Sequence, residues 1–170
     1  NQAVYVDSML YDLRGHHDLS GEDLEVIYGN NLEADGRVGG YAGWGVYTPS
    51  MVYATALRFL LSGDRASFER LLPPTMKAAG WCLEEVRRAL SRTEGPRLAL
   101  APLNDLSHEP RAWAFNQAYL HAGLDLLARA LGAIGQVATD PALHRLAHDL
   151  DSAGVRQARV LARVAHRAAV

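Results

Sequence analysis

Residues 48–72, TPSMVYATALRFLLSGDRASFERLL, decide the fold class of this chain. Apolar side chains recur every three or four residues on both sides of Ser62-Gly63, which is the spacing of one helix face. Thr48 is expected to cap the helix before this turn, with Pro49 in the first turn of that helix. Asp64 is expected to cap the helix after it. The stretch therefore predicts two helices joined by a short turn, which is an antiparallel hairpin.

The same helical period covers most of the 170 residues. Ser20, with Asp23 three residues later, resembles a capping box and is expected to open the second helix. No strand-like alternation is long enough to build a sheet. The predicted helices span residues 3–13, 20–28, 48–61, 64–90 with a break or kink at Pro73-Pro74, 111–134, and the chain from Asp140-Pro141 onward. We therefore predict an all-α fold with about three helical hairpins, either one domain over residues 1–170 or a fragment of one.

Two glycine- and proline-rich stretches, residues 29–47 and 92–111, interrupt the helices. Short turns near residues 15, 63 and 137 join the other neighbours. If every short turn closes an antiparallel hairpin, both long loops lie at the same end of the stack. Binding and catalytic residues are often carried by such loops, so we expect the functional site at that end.

The composition excludes several classes of protein. Hydrophobic residues make up 49% of the chain and charged residues 21%, which argues against a disordered chain. A net charge of -2 argues against a nucleic-acid partner bound by a basic surface. The single cysteine excludes an internal disulfide or a cysteine metal site, and no apolar run reaches the roughly 18 residues of a membrane span. We expect no cofactor, no metal and no membrane partner.

The long loops hold the residue types that bind sugars. Asp35, Trp44 and Tyr47 lie in or beside the first loop, and Asp105 lies in the second. Aromatic rings stack on the apolar face of a sugar ring, and carboxylates bind its hydroxyls or act as acid and base. The alternatives are structural: Asp35 as a turn residue, Trp44 as a core residue beneath the loop, and Asp105 as a helix cap or a partner in a loop hydrogen bond.

Six segments of the chain form a recognisable series: Asp35-Gly36, GWGVYTP at residues 43–49, SGDR at 62–65, LPPTMK at 72–77, PLNDL at 102–106 and the predicted helix over 113–122. These segments resemble the bacterial six-hairpin glycosidases, most nearly the alpha-L-rhamnosidase-like glycoside hydrolases. Asp35-Gly36 is similar to an aspartate-glycine loop of that superfamily. The chain departs from its pattern at Asn104 and Leu106, where the rhamnosidase-like members carry glycine and tryptophan.

The resemblance implies an (α/α)6 toroid, of which three hairpins are about half. It implies a carbohydrate substrate hydrolysed by paired carboxylates, with general acid and base outside this chain. Asp35, Trp44, Tyr47 and Asp105 would then be substrate-binding residues of the pocket wall, the isolated chain would be inactive, and the catalytic residues stay unknown. In a different branch of the superfamily Asp105 could itself be catalytic, which makes it the best candidate within the chain.

A fragment of a toroid also implies a partner. We expect the remaining half of the toroid, or another copy, to cover exposed apolar edges. No signal peptide is visible and the N-terminus reads as truncated, so the location stays undetermined, with the cytoplasm favoured. The alternative function is a non-enzymatic helical-hairpin scaffold that binds a protein partner through an exposed apolar stripe.

Overall fold

Five α-helices form the part of the chain described by the computed structural model. It describes residues 4–40, 44–94, 98–100 and 113–135. The helices are α1 (Val4–Leu13), α2 (His17–Asn31), α3 (Tyr47–Ser62), α4 (Arg65–Ser91) and α5 (Ala114–Ala133). The described residues contain no strand beyond one isolated bridge, so the all-α prediction is confirmed. None of the five helices has the length and apolarity needed to cross a membrane.

Some predictions fall outside the described residues. Most of the second long loop, including Asp105, and the last predicted helix lie there. The prediction that both long loops share one end of the stack therefore stays a prediction.

Helix α3 lies at the centre of the structure and contacts each of the other four described helices. α5 approaches it closely because Gly123 has no side chain: a Cβ there would lie 2.8 Å from the carbonyl oxygen of Pro49. Beside this contact the rings of Tyr53 and Tyr119 meet edge to face, 5.5 Å apart. On the α4 side, the rings of Phe59 and Phe68 stack across the short turn at 4.5 Å.

Two predicted helix caps are wrong because tertiary contacts use their side chains. α2 begins at His17, so Ser20 lies inside the helix, where its hydroxyl donates to the Asp12 carboxylate at 2.7 Å. α3 begins at Tyr47, and the Thr48 hydroxyl accepts a hydrogen bond from the backbone N–H of Val38 at 3.0 Å. Both hydroxyls therefore join separate segments instead of ending a helix.

The first long loop is shorter than predicted, because α2 continues to Asn31. A bridge between Leu32 and Val38 then closes a tight turn, and Gly36 adopts a φ of 97° in it. A side chain at Gly36 would also meet the backbone carbonyl of Lys77 in α4, so this turn fits only glycine.

Of the break or kink predicted at Pro73-Pro74, the break is wrong, because α4 runs through both prolines as one helix of 27 residues. Two prolines leave the carbonyls of Glu69 and Arg70 without helical donors. Those two residues are exposed, so water can bind their carbonyls. The buried face continues in register on both sides of the prolines, and this packing maintains the helix.

A buried arginine joins the helix ends around the short turns. Arg58 is 2% exposed; its Nε donates to the carbonyl of His17 at 3.0 Å and Nη2 to Asp64 at 3.2 Å. Asp64 also accepts from the backbone N–H of Ser67, as the sequence predicted for a cap. α3 ends at Ser62, and the following Gly63 has the left-handed conformation that commonly ends a helix.

The close approach of α5 to α3 predicts opposite effects for two glycine-to-alanine substitutions. Gly123→Ala should lower the free energy of unfolding by about 1–3 kcal/mol, because a Cβ forces the α3 backbone away. Gly80→Ala should raise it by about 0.5–1 kcal/mol, since Gly80 lies inside α4 with nothing within 4 Å of a Cβ. Urea denaturation of both variants tests the prediction, and stabilisation by both would contradict the close contact.

The Asp64 cap predicts a charge-dependent loss of stability. Asp64→Ala should cost about 1–2 kcal/mol, because it removes the cap and leaves the Arg58 guanidinium without its carboxylate. Asp64→Asn keeps a capping oxygen and should cost less. The hydrogen bond from the Ser67 N–H and the bond to Arg58 lower the pKa of Asp64, so its contribution is present near neutral pH and is lost as the pH falls through that lowered value. Equal melting curves for the two variants at neutral pH would argue against a stabilising role of the cap.

Candidate functional site

A cleft of about 220 Å³ opens between the second half of α2 and the start of α3. Residues 38–40, after the first-loop turn, form its third side. The wall is mixed, with apolar side chains beside a carboxyl, two amides and a phenol ring. The lining residues are Asp23, Val26, Ile27, Asn30, Asn31, Val38, Gly39, Gly40, Tyr47 and Met51.

The polar groups of the cleft come from successive turns of α2. Asp23 is half-buried and Asn30 is exposed, so both can reach a bound molecule. The side-chain Nδ2 of Asn31 donates to the backbone carbonyl of Ile27 at 3.1 Å. The backbone carbonyl of Asn31 accepts a hydrogen bond from the N–H of Gly39 at 2.7 Å. Asn31 therefore fixes the wall, while Asp23 and Asn30 are the side chains available for binding.

The Asp23 carboxyl has a raised pKa. The largest cause is its partial burial, and the negative charges of Asp7 and Glu22 add to it. Each cause disfavours the ionised form, so Asp23 keeps its proton to a higher pH than an exposed aspartate does. A carboxyl of this kind can donate as well as accept a hydrogen bond over a wider pH range.

Among the predicted site residues that the structure describes, Tyr47 alone lines this cleft. Its ring stacks on Trp44, with the centroids 6.1 Å apart and the planes at 14°. Gly40 lies directly against the Tyr47 ring, and a Cβ at this position would collide with that ring. A larger residue at position 40 would displace the ring from the cleft wall.

Trp44 and Asp35, the other predicted site residues that the structure describes, do not line the cleft. Trp44 and Tyr47 are only 6% and 5% exposed and belong to the hydrophobic core, which favours the core role for Trp44. Asp35 is exposed in the turn, where its carboxylate accepts from the N–H of Arg37 at 3.0 Å. This hydrogen bond favours the alternative interpretation of Asp35 as a turn residue. Asp105 lies outside the described residues, so its role stays a prediction.

Asp12, His17 and Ser20 form a second polar cluster at the turn between α1 and α2. The buried Asp12 carboxylate contacts His17 Nδ1 at 2.8 Å and Ser20 Oγ at 2.7 Å. The serine donates to the aspartate and not to the histidine, so the serine–histidine contact of a catalytic triad is missing, and Ser20 is fully buried. The cluster therefore has a structural role. Among the described residues, no group of three histidine, cysteine, aspartate or glutamate side chains could hold a metal ion.

Sequence reasoning missed Asp23 and Asn30 as site residues. The sequence pattern assigns Asp23 only to a capping box and places Asn30 in the first long loop. The available signal was the spacing of residues 23, 26, 27 and 30, which puts them on one side of a helix. That signal becomes visible only if α2 is extended from Tyr28 to Asn31.

The raised pKa of Asp23 predicts a pH-dependent stability change. Below its ordinary pKa of about 4, Asp23 is protonated in both folded and unfolded chains and contributes nothing. As the pH rises through the raised native pKa, the ionised form lowers the stability of the folded chain. Asp23→Asn should therefore raise the melting temperature slightly near neutral pH and leave it unchanged near pH 3.

The matched control is Glu25→Gln, an exposed residue of the same helix that pairs with Arg70 at 3.4 Å. It should give no gain at neutral pH. An increase for Asp23→Asn that is the same at both pH values would show that charge is not its cause.

Comparison with known proteins found none that matches this chain. No protein-family model matches the chain, and neither a curated protein nor a solved structure matches it. The resemblance to the six-hairpin glycosidases therefore depends on the sequence segments alone. A function for this chain has to be argued from the cleft, the helix contacts and the polar side chains themselves.

Proposed function

We propose that this chain is part of the helical toroid of a glycoside hydrolase and supplies wall of a carbohydrate pocket. The observation that carries the proposal is the cleft beside Tyr47, where Asp23 and Asn30 lie next to an apolar wall. A sugar presents hydroxyls around an apolar ring face, so it needs hydrogen-bonding groups beside apolar and aromatic surface. The cleft offers both.

The helix contacts are consistent with a toroid. α1 contacts α3 and α3 contacts α5, while α2 contacts α4. Odd-numbered and even-numbered helices thus follow one another in two series. In a toroid of paired helices one series forms the inner ring and the other the outer ring, which is the arrangement implied by the resemblance.

The cleft by itself has too few carboxyls for glycoside hydrolysis. Asp23 is the one acidic residue among the described residues that line it. Glycosidases generally use two carboxyl groups placed about 5–10 Å apart on either side of the bond. The described cleft therefore fits substrate binding, and catalysis requires carboxyls from elsewhere.

An apolar stripe on α1 favours the second candidate function, a scaffold for a protein partner. Val6, Leu10 and Leu13 lie on one side of the helix and are 38%, 50% and 69% exposed. Under the carbohydrate proposal, the same stripe is the edge that the remaining half of the toroid or another copy covers. Glycoside binding separates the two functions, because a protein scaffold gives no reason for a sugar to bind in the cleft.

Ligand-observed NMR with a panel of methyl glycosides tests the carbohydrate proposal. We expect at least one glycoside to bind the chain, and Asp23→Asn and Asn30→Ala to weaken it severalfold, since each removes about one hydrogen bond. The exposed control Glu25→Gln should leave binding unchanged.

Aryl glycosides should be hydrolysed very slowly or not at all by the chain. Failure of every glycoside to bind would overturn the carbohydrate function. Rapid turnover that is abolished by Asp105→Asn would instead show that catalytic carboxyls lie within the chain.

A further inference from the structure

Helix α1 presents three apolar side chains to solvent and polar side chains to the interior. Val6, Leu10 and Leu13 are 38%, 50% and 69% exposed, and their spacing of four and three residues places them in one stripe. The opposite side of the helix contains Ser8 and Asp12, which are 0% and 3% exposed. The usual distribution of polar and apolar residues on a surface helix is therefore reversed in α1.

The buried side of α1 is fixed by hydrogen bonds to α2. The Asp12 carboxylate contacts Nδ1 of His17 at 2.8 Å and accepts from the hydroxyl of Ser20 at 2.7 Å. A rotation of α1 that buried the apolar stripe would break both contacts. The stripe therefore stays on the surface of the described structure, where another molecule can reach it.

Two opposite charges border the stripe along one side. Asp7 directly follows Val6 and Arg14 directly follows Leu13, and one residue corresponds to a rotation of about 100° in the same direction. The backbone N–H of Arg14 donates to the carbonyl of Tyr11 at 3.1 Å, so the last turn of the helix includes Arg14. Both charged side chains are exposed, and neither has an ion-pair partner within the part of the chain that the structure describes.

An antiparallel pair of α1 helices would bring these opposite charges together. With the two stripes face to face and Leu10 of each copy at the centre, Val6 of one copy lies beside Leu13 of the other. The same two-fold axis keeps the charged borders on one side of the seam, so each Asp7 lies beside the Arg14 of the other copy. In a parallel pair the two charged borders would lie on opposite sides of the seam and could not meet.

We propose that the α1 stripe binds a second copy of this chain through an antiparallel, two-fold pair of α1 helices. Apolar contacts along the stripe provide the attraction, and two Asp7–Arg14 ion pairs determine the orientation. The ten residues of α1 extend about 15 Å, so the interface is small, and we expect a dissociation constant of about 0.1 mM. This self-association does not depend on the carbohydrate function proposed above.

Sedimentation velocity over a concentration series up to about 1 mM tests the self-association. We expect the chain to dimerise, and Leu10→Ser to weaken dimerisation at least about tenfold, because it removes the central apolar contact. The matched control is Leu61→Ser, which changes a leucine of α3 that is 47% exposed and lies outside the stripe. It should leave the dissociation constant unchanged.

Charge-reversal variants test the antiparallel orientation. Asp7→Arg leaves only positive charges on the border of the stripe, and Arg14→Asp leaves only negative ones. Each variant alone should dimerise severalfold more weakly than the original chain, because like charges then meet at both ends of the pair. An equimolar mixture of the two variants should recover the original affinity, since opposite charges again face each other at both ends.

Three results would overturn the proposal. The first is a chain that stays monomeric up to about 1 mM, and the second is dimerisation that persists unchanged in Leu10→Ser. A lower melting temperature for Leu10→Ser in a monomeric chain would show that the stripe is covered within the chain itself. The third is a mixture of the two charge variants that associates no better than either alone, which would exclude the antiparallel pair.

Discussion

The burial of α3 among four other helices is the constraint on which the rest of the structure depends. A helix covered on several sides has little access to water, so each buried polar group on it needs a partner in the protein. Thr48 accepts from Val38, Thr55 donates to the carbonyl of Met51, and Arg58 donates to His17 and Asp64. The bond of Thr55 lies within α3, whereas those of Thr48 and Arg58 help to determine where the first loop, α2 and the start of α4 can lie.

The short turns around α3 and the region near the start of α5 differ in whether their buried polar groups have hydrogen-bond partners. At the short turns, the carboxylates of Asp12 and Asp64 and the buried Arg58 have hydrogen-bond partners, so this region contributes stability. Near the start of α5, Asn116 has none among the described residues, and Leu100 adopts a φ of 57°, which is unfavourable for a residue other than glycine. Such costs persist in proteins mostly where binding or catalysis requires them.

Local signals in the sequence predicted the helices well, and tertiary contacts explain the failures. Gly63 and Asp64 act within one turn of their own positions, so the end of α3 and the start of α4 could be predicted. Ser20 and Thr48 have the chemistry of helix caps but bond to Asp12 and Val38, which no local pattern reveals. The prolines of α4 failed as helix breakers because packing on both sides outweighed two missing backbone bonds.

The candidate site was predicted less completely, because a cleft depends on which sides of separate elements meet. Tyr47 was identified from its residue type, whereas Asp23 and Asn30 enter the cleft only because α2 lies against the start of α3. Trp44 illustrates the converse: glycines beside it in sequence suggested an uncovered ring, yet Tyr47 covers one face of it. The solvent exposure of a side chain depends on its neighbours in space. Residue type can therefore suggest a binding residue but cannot show that its side chain is accessible to a ligand.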